Sequence, residues 1–382
     1  MKDQSVTQGP FENIQLCSTI SATGRLELSL KESRLDEPGD DEIVVAIEAA
    51  PVNPSDIGLM IGYGDITSLR AEGTEAAPVA VMDVAPQLLP LVAARLDVAL
   101  PTGNEGAGLV VRAGVNAEHL LGKRVAAFAG GMYARYRILP AKDCLVLPDG
   151  ASSAEGAAAF VNPLTALGMV ETMRREGHKA LVHTAAASNL GQMLNRLCLA
   201  DGIALVNIVR SKAQFEMLCA AGAKHVLNSA SPDFEDELKK AISETEATLA
   251  FDAIGGGRLA GTILGAMEAA QAERGGKYSL YGSPVRKQVY IYGALDVGPI
   301  EVQRKFGMAW GMGGWLLPSF LDEIGNEAAE RLRNRVRAEL RTTFASQFHS
   351  VISLKDALGT DAIRNFAERA TGRKTLIDPR RD

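Results

Sequence analysis

The sequence has little cysteine and no long apolar run. Only four of its 382 residues are cysteine, namely Cys17, Cys144, Cys198 and Cys219. None forms a C-x-x-C pair. A chain of this size builds a core without disulfides, so the four thiols are expected reduced and structural. No apolar run reaches the ~20 residues of a membrane-spanning helix. The start, Met1 to Pro10, is polar and lacks the apolar centre of a secretory signal. The expectation is a cytoplasmic protein with no membrane partner. Net charge is −6, which argues against a nucleic-acid or anionic-membrane partner. Internal repeats and low-complexity tracts are absent as well.

What is present suits a two-domain globular chain. Apolar residues make up 47% and charged residues 23%. The middle alternates strand-like with helix-like segments. Lys179–Thr184, Ile203–Val209, Lys224–Asn228 and Thr248–Ile254 are strand candidates; Leu190–Ala200 is helical between the first two. Ser211, with Gln214 three residues on, is a capping box for the next helix, and Gly222 is its stop. Phe234, Leu238 and Ile242 recur at spacing four, one face of a further helix. Gly257–Ala270 predicts a helix, and Tyr278–Tyr281 and Val289–Leu295 predict strands. This alternation implies a parallel sheet with right-handed crossovers, the doubly wound α/β dinucleotide fold.

Residues before 150 read differently. Glu42–Ala50, Ala107–Ala113, Arg124–Ala129, Tyr133–Leu139 and Cys144–Leu147 are short strands separated by Gly, Pro and Asp, an irregular β domain. Two basic helices, around Ala328–Thr342 and Leu354–Arg369, precede a closing strand, Lys374–Ile377, which returns to this domain. The expected division is 1–161 with 315–382 for the β domain and 162–314 for an inserted nucleotide domain.

The loop after Lys179–Thr184 stands where a dinucleotide fingerprint wants G-x-G-x-x-G. Ala186, Ser188 and Gly191 take the three spacings, so only the third glycine is kept. Small residues still let the backbone approach a pyrophosphate, and the helix start at Asn189 and Leu190 offers N–H donors and a positive dipole end. The end of the second strand lacks the acid that bonds a ribose 2′-hydroxyl in NAD sites. Arg210, Ser211 and Lys212 stand there instead, two cations and a hydroxyl suited to a 2′-phosphate. The expected cofactor is NADP (NADPH). Two later strands end in glycine, at Ile254-Gly255 and Tyr292-Gly293, where backbone would flank the nicotinamide.

Four stretches extend this reading: Asn53-Pro54-Ser55-Asp56, Gly103-Asn104-Glu105-Gly106-Ala107-Gly108, Gly131-Met132-Tyr133-Ala134-Arg135-Tyr136 and Asn162-Pro163-Leu164-Thr165-Ala166. In this order they resemble the medium-chain dehydrogenase/reductase superfamily over about residues 40 to 380. Within it the chain looks most like the zinc-independent quinone oxidoreductases and mitochondrial-type 2-enoyl-thioester reductases. The resemblance implies a GroES-like catalytic domain, an inserted Rossmann domain and a homodimer. Asp65 to Leu100 departs from it as an apolar insertion that would cover the substrate site or pack a partner subunit.

Zinc-dependent relatives carry His where Asn104 precedes Glu105, and an amide is a poor zinc ligand. The five histidines show no paired ligand spacing, so no zinc is expected. Without that Lewis acid, hydride delivery to a conjugated acceptor is the natural chemistry. The candidate catalytic residues are Tyr63 and Asn53. Tyr63 lies near the tyrosine that serves the enoyl reductases as donor, or packs in its glycine turn. Asn53 orients substrate or nicotinamide, or serves an N-P-S-D turn. Thr165 touches the nicotinamide amide, or starts a helix. Three functions follow for a small-molecule substrate: an NADPH-dependent reductase of an activated double bond or quinone, a zinc-free carbonyl dehydrogenase, or a non-catalytic NADPH-binding protein.

Overall fold

The computed structural model describes residues 11–275, 279–368 and 371–382. The polar start read at Met1 to Pro10 lies outside them. The chain divides into two compact units, Met1–Val161 with Val336–Asp382, and Asn162–Arg335.

The first unit is built from two mainly antiparallel sheets. One holds strands Glu42–Pro51, Glu105–Ala113, Arg124–Phe128, Tyr136–Pro140 and Cys144–Val146, with Ser350–Ile352 and the closing Thr375–Ile377. Thr375–Ile377 pairs antiparallel with Glu42–Pro51, so the tail does return here. The other sheet begins with a hairpin, Phe11–Ile20 and Arg25–Leu35, paired along its whole length. Asp65–Gly73 and Pro78–Asp83 extend it beyond Arg25–Leu35. The insertion is thus largely sheet. Val81 and Met82, on opposite faces of strand Pro78–Asp83, are both buried, whereas Leu91 is exposed. Helix Pro54–Ile61 begins at the first stretch of the resemblance, with Pro54 at its first position, where a missing N–H costs nothing.

The second unit is a six-stranded, wholly parallel sheet in the order His225–Asn228, Ala204–Val209, Ala180–His183, Leu249–Asp252, Lys287–Ile291, Trp310–Gly314. This is the doubly wound order of dinucleotide-binding sheets. Helices Asn189–Asp201, Lys212–Ala220, Phe234–Thr245 and Leu259–Glu273 connect the strands. Phe234, Leu238 and Ile242 are all buried, as the spacing requires. The expected strand at Tyr278–Tyr281 is not formed: Tyr278 lies outside the described residues, and 279–281 lead into a turn. A glycine-rich strand, Trp310–Gly314, supplies the sixth position instead.

Residues 315–335 pack with this unit. The Trp315 indole N–H donates to Thr172 Oγ1 at 3.1 Å, and Arg335 holds Asp201 through two bonds of 2.6 and 2.9 Å. The helix expected at Ala328–Thr342 starts earlier, at Leu317, and ends at Ala338, interrupted where Gly325 has φ 78°. The segment Leu354–Arg369 splits into a 3-10 turn, Asp356–Leu358, and a helix, Thr360–Glu368; Arg369 lies outside the described residues. All four cysteines are free: Cys17 and Cys198 are buried, Cys144 is half-buried, and Cys219 is exposed.

Leu238 is fully buried between helix and sheet, whereas Lys240 is exposed on the same helix. Leu238→Ala is expected to destabilise the second unit by about 2–5 kcal/mol. Lys240→Ala should stay within about 0.5 kcal/mol. Urea unfolding followed by circular dichroism compares the two.

Candidate functional site

In the second unit the ligand edge is the row of strand carboxyl ends. Strand Ala180–His183 leads into the phosphate-loop candidate. Ala186 and Ala187 are buried, and the Ala186 N–H is taken by Ile208 O at 3.1 Å. Ala186 therefore shapes the turn and has no N–H to offer a phosphate. Ser188 is the N-cap of helix Asn189–Asp201, its hydroxyl accepting from Gly191 N at 3.1 Å. A Cβ on Gly191 would lie 2.2 Å from Ala186 O, so only glycine permits this helix–loop approach. That close approach leaves the first helical turn, at Asn189 and Leu190, as the place to receive a pyrophosphate.

The next strand ends at Val209, and Arg210 stands exposed beyond it. Its backbone N–H donates to Gln214 Oε1 at 3.1 Å, and no carboxylate engages its guanidinium among the described residues. Ser211 caps helix Lys212–Ala220 by accepting from Gln214 N at 3.3 Å, and Lys212 pairs with Glu216 at 3.6 Å. These groups fit a 2′-phosphate: one guanidinium without a carboxylate, a hydroxyl and an exposed ammonium at a helix start.

The third part of the edge is organised by Asp252, which sequence reasoning missed. Its buried carboxylate accepts from Thr184 Oγ1 at 2.6 Å, Ile254 N at 2.9 Å and Gly255 N at 3.2 Å. Gly255 has φ +85°, and a Cβ there would lie 2.8 Å from Gly293 O. Tyr292 N donates to Asp252 O at 3.0 Å. Ile254, Gly255, Tyr292 and Gly293 are thus brought together. Thr165 sits one turn into helix Val161–Arg175 and is buried.

In the first unit, buried Asn53 donates its side-chain amide to Glu105 Oε1 at 2.8 Å. Glu105 is fully buried and also accepts from Phe160 N at 3.2 Å and Val161 N at 2.8 Å. Burial pushes its carboxyl above the ordinary range, with the Lys374 ammonium opposing. Asp56 accepts from Asn53 N at 2.8 Å and Asn104 N at 2.7 Å. The Asn104 amide donates to Ser55 Oγ at 2.9 Å. Among the described residues no cluster of three or more His, Cys, Asp or Glu is placed to hold a metal.

Tyr63 lies half-buried in the turn after helix Pro54–Ile61 and packs on the main apolar cluster of its unit. Arg95, from the inserted segment, braces the preceding turn: it donates to Leu59 O at 3.3 Å and Ser18 Oγ at 3.0 Å. The insertion therefore supports the Tyr63 turn.

The fold is that of the medium-chain dehydrogenase/reductase superfamily, and the chain's likenesses fall in its zinc-independent branch of quinone and enoyl reductases. No protein-family model matches the chain. The structure of a candidate NADPH:quinone reductase from Mesorhizobium loti superposes with TM-score 0.73, at 25% identity, covering 98% of this chain and 100% of that one. The mitochondrial enoyl-[acyl-carrier-protein] reductase of Xenopus tropicalis is 28% identical over 246 residues, 60% of each chain. The synaptic vesicle membrane protein VAT-1 homolog of Rattus norvegicus is 31% identical over 158 residues, 40% of this chain and 39% of that protein. The chain thus spans less than two thirds of these curated relatives.

Burial raises the Asp56 carboxyl pKa to about 7, against the backbone N–H groups of Asn53 and Asn104, which lower it. The folded state then keeps a proton that the unfolded state loses above about pH 4. Stability should fall as pH rises from about 4 to 7, by up to about 4 kcal/mol, and level off above that. Asp56→Asn should flatten the fall in denaturation free energy over that window. An unchanged slope would place the titration elsewhere.

Proposed function

We propose that this protein is an NADPH-dependent oxidoreductase that transfers hydride to an activated double bond or a quinone and uses no zinc. One observation carries the reading. In a doubly wound sheet, the strand that would end in a ribose-binding acid ends instead in Arg210, exposed and without a carboxylate partner among the described residues. The names of the relatives agree in kind, NADPH:quinone reductase and enoyl-[acyl-carrier-protein] reductase. In this reading the first unit is the GroES-like catalytic domain and the second the Rossmann domain. The active form is a cytoplasmic homodimer.

NADPH, when bound, supplies the hydride. Arg210, Ser211 and Lys212 hold its 2′-phosphate. The helix start at Asn189 and Leu190 receives the pyrophosphate, with Ser188 capping that helix and Gly191 keeping the turn close. Ile254, Gly255, Tyr292 and Gly293 flank the nicotinamide, and Thr165 touches its amide. Tyr63 offers a phenolic proton to the oxygen on which negative charge develops. Asn53, held by Glu105, fixes the turn that opens the helix leading to the Tyr63 turn. Asn104, an amide already bonded to Ser55, occupies the position where zinc-dependent relatives place histidine.

A panel of quinones, enones and enoyl thioesters, read by NADPH oxidation, tests the reading. NADPH binding with no turnover on any of them would make the chain a non-catalytic binder. Arg210→Ala should weaken NADPH binding by about 1.5–3 kcal/mol and leave NADH nearly unchanged. Equal losses, or a wild-type preference for NADH, overturn the cofactor assignment. Tyr63→Phe keeps the ring and removes the hydroxyl. Turnover should fall ~10²–10³-fold, with cofactor affinity and melting temperature nearly constant. Turnover within about twofold on every accepted substrate would make Tyr63 a packing residue.

A further inference from the structure

His183 ends the first strand of the parallel sheet and is fully buried. Its Nε2 lies 2.7 Å from the Tyr292 hydroxyl, and the two rings stack with centroids 5.7 Å apart. Its Nδ1 is buried and meets no hydrogen-bond partner among the described residues. Burial lowers the imidazole pKa to about 3, so the ring is neutral at physiological pH.

The pair therefore carries two protons, one imidazole N–H and one phenolic O–H. The single bond between them uses one. If Tyr292 donates to Nε2, the imidazole proton sits on Nδ1, a buried N–H with no acceptor. Orphaned buried N–H groups are rarer than under-satisfied acceptors. If Nε2–H donates to the phenol oxygen, Nδ1 is only a bare lone pair and the phenolic proton turns away from His183. The second arrangement is favoured. The hydroxyl then has no other acceptor among the described residues.

Tyr292 follows strand Lys287–Ile291, on the side of Ala180–His183 opposite the Arg210 strand. A dinucleotide lies across the carboxyl edge of such a sheet, one half on each side of the phosphate loop. With the phosphorylated ribose at Arg210, Tyr292 stands on the nicotinamide half. It is partly exposed there.

We propose that Tyr292 donates its hydroxyl proton to a carbonyl oxygen at the nicotinamide end of the ligand, with His183 as the fixed donor that turns the hydroxyl outward. This rests on the dinucleotide reading above. The carbonyl is either the carboxamide of the cofactor or that of the hydride acceptor, and Tyr292→Phe distinguishes them. NADPH and 2′-phospho-ADP-ribose, which lacks nicotinamide, are titrated into wild type and variant. A loss of about 3- to 10-fold for NADPH alone assigns the carboxamide. Unchanged affinities with an equal or larger loss of turnover on an enoyl thioester assign the acceptor. Both affinities and turnover within twofold, or equal losses for both ligands, overturn the proposal. A wild type that binds neither ligand overturns the dinucleotide reading first, and this assignment with it. Nitrogen chemical shifts of His183 in the wild-type protein give a measurement that needs no variant. A protonated Nε2 and a bare Nδ1 are expected; a protonated Nδ1 overturns the proposal.

Discussion

A buried carboxyl group is costly inside a protein unless donors meet it, and the carboxyl edge of the parallel sheet is arranged around one, Asp252. Asp252 accepts hydrogen bonds from the Thr184 hydroxyl and from two consecutive backbone N–H groups, Ile254 and Gly255. Thr184 Oγ1 in turn accepts from Ala253 N at 2.8 Å. Two neighbouring strands thus leave the sheet in a fixed relation. The left-handed turn at Gly255, the approach of Gly293 and the position of Tyr292 all follow from it. With Asp252 replaced by an apolar residue, three donors would be stranded where three parts of the edge meet.

The first unit repeats the device with different residues. Glu105 gathers the Asn53 amide and the backbone of Phe160 and Val161. Asp56 gathers Asn53 N and Asn104 N. The two acids join segments far apart in the chain. They also show that the side-chain amide of Asn53 is engaged by Glu105. The same wiring explains Asn104: its backbone serves Asp56 and its amide serves Ser55.

The parallel sheet was legible because its strands are continuous apolar runs and its helices carry a 3.6-residue period and recognisable caps. Ser211 and the Phe234, Leu238, Ile242 face are examples. The hairpin Phe11–Ile20 and Arg25–Leu35 was not, because buried positions on both of its faces hold polar residues. Asn13, Ser18 and Ser29 are 2%, 0% and 5% exposed. The first two find long-range partners, Tyr136 N for Asn13 and Met60 O for Ser18, which no local pattern announces. Trp310–Gly314 was missed for the opposite reason: its glycines have little strand propensity, and only pairing with Lys287–Ile291 makes it a strand. In the insertion, part of the apolarity, Val81 and Met82, belongs to strand Pro78–Asp83, which extends a sheet. The candidate residues at the carboxyl edge of the sheet were read from loop and strand-end positions. The carboxylates that hold them were not, because burial of an acid has no signature in the sequence.

The distribution of thiols gives the molecule a built-in attachment point. Burial raises the pKa of Cys17, Cys144 and Cys198, the latter two to about 12, so these stay protonated and slow to react. Cys219 alone is exposed. It lies on the helix that Ser211 caps, the one that starts beside Arg210. A maleimide dye added to the unmodified protein would therefore mark that helix in preference to the rest of the chain. It would place an optical reporter beside the carboxyl edge of the sheet without any engineered residue.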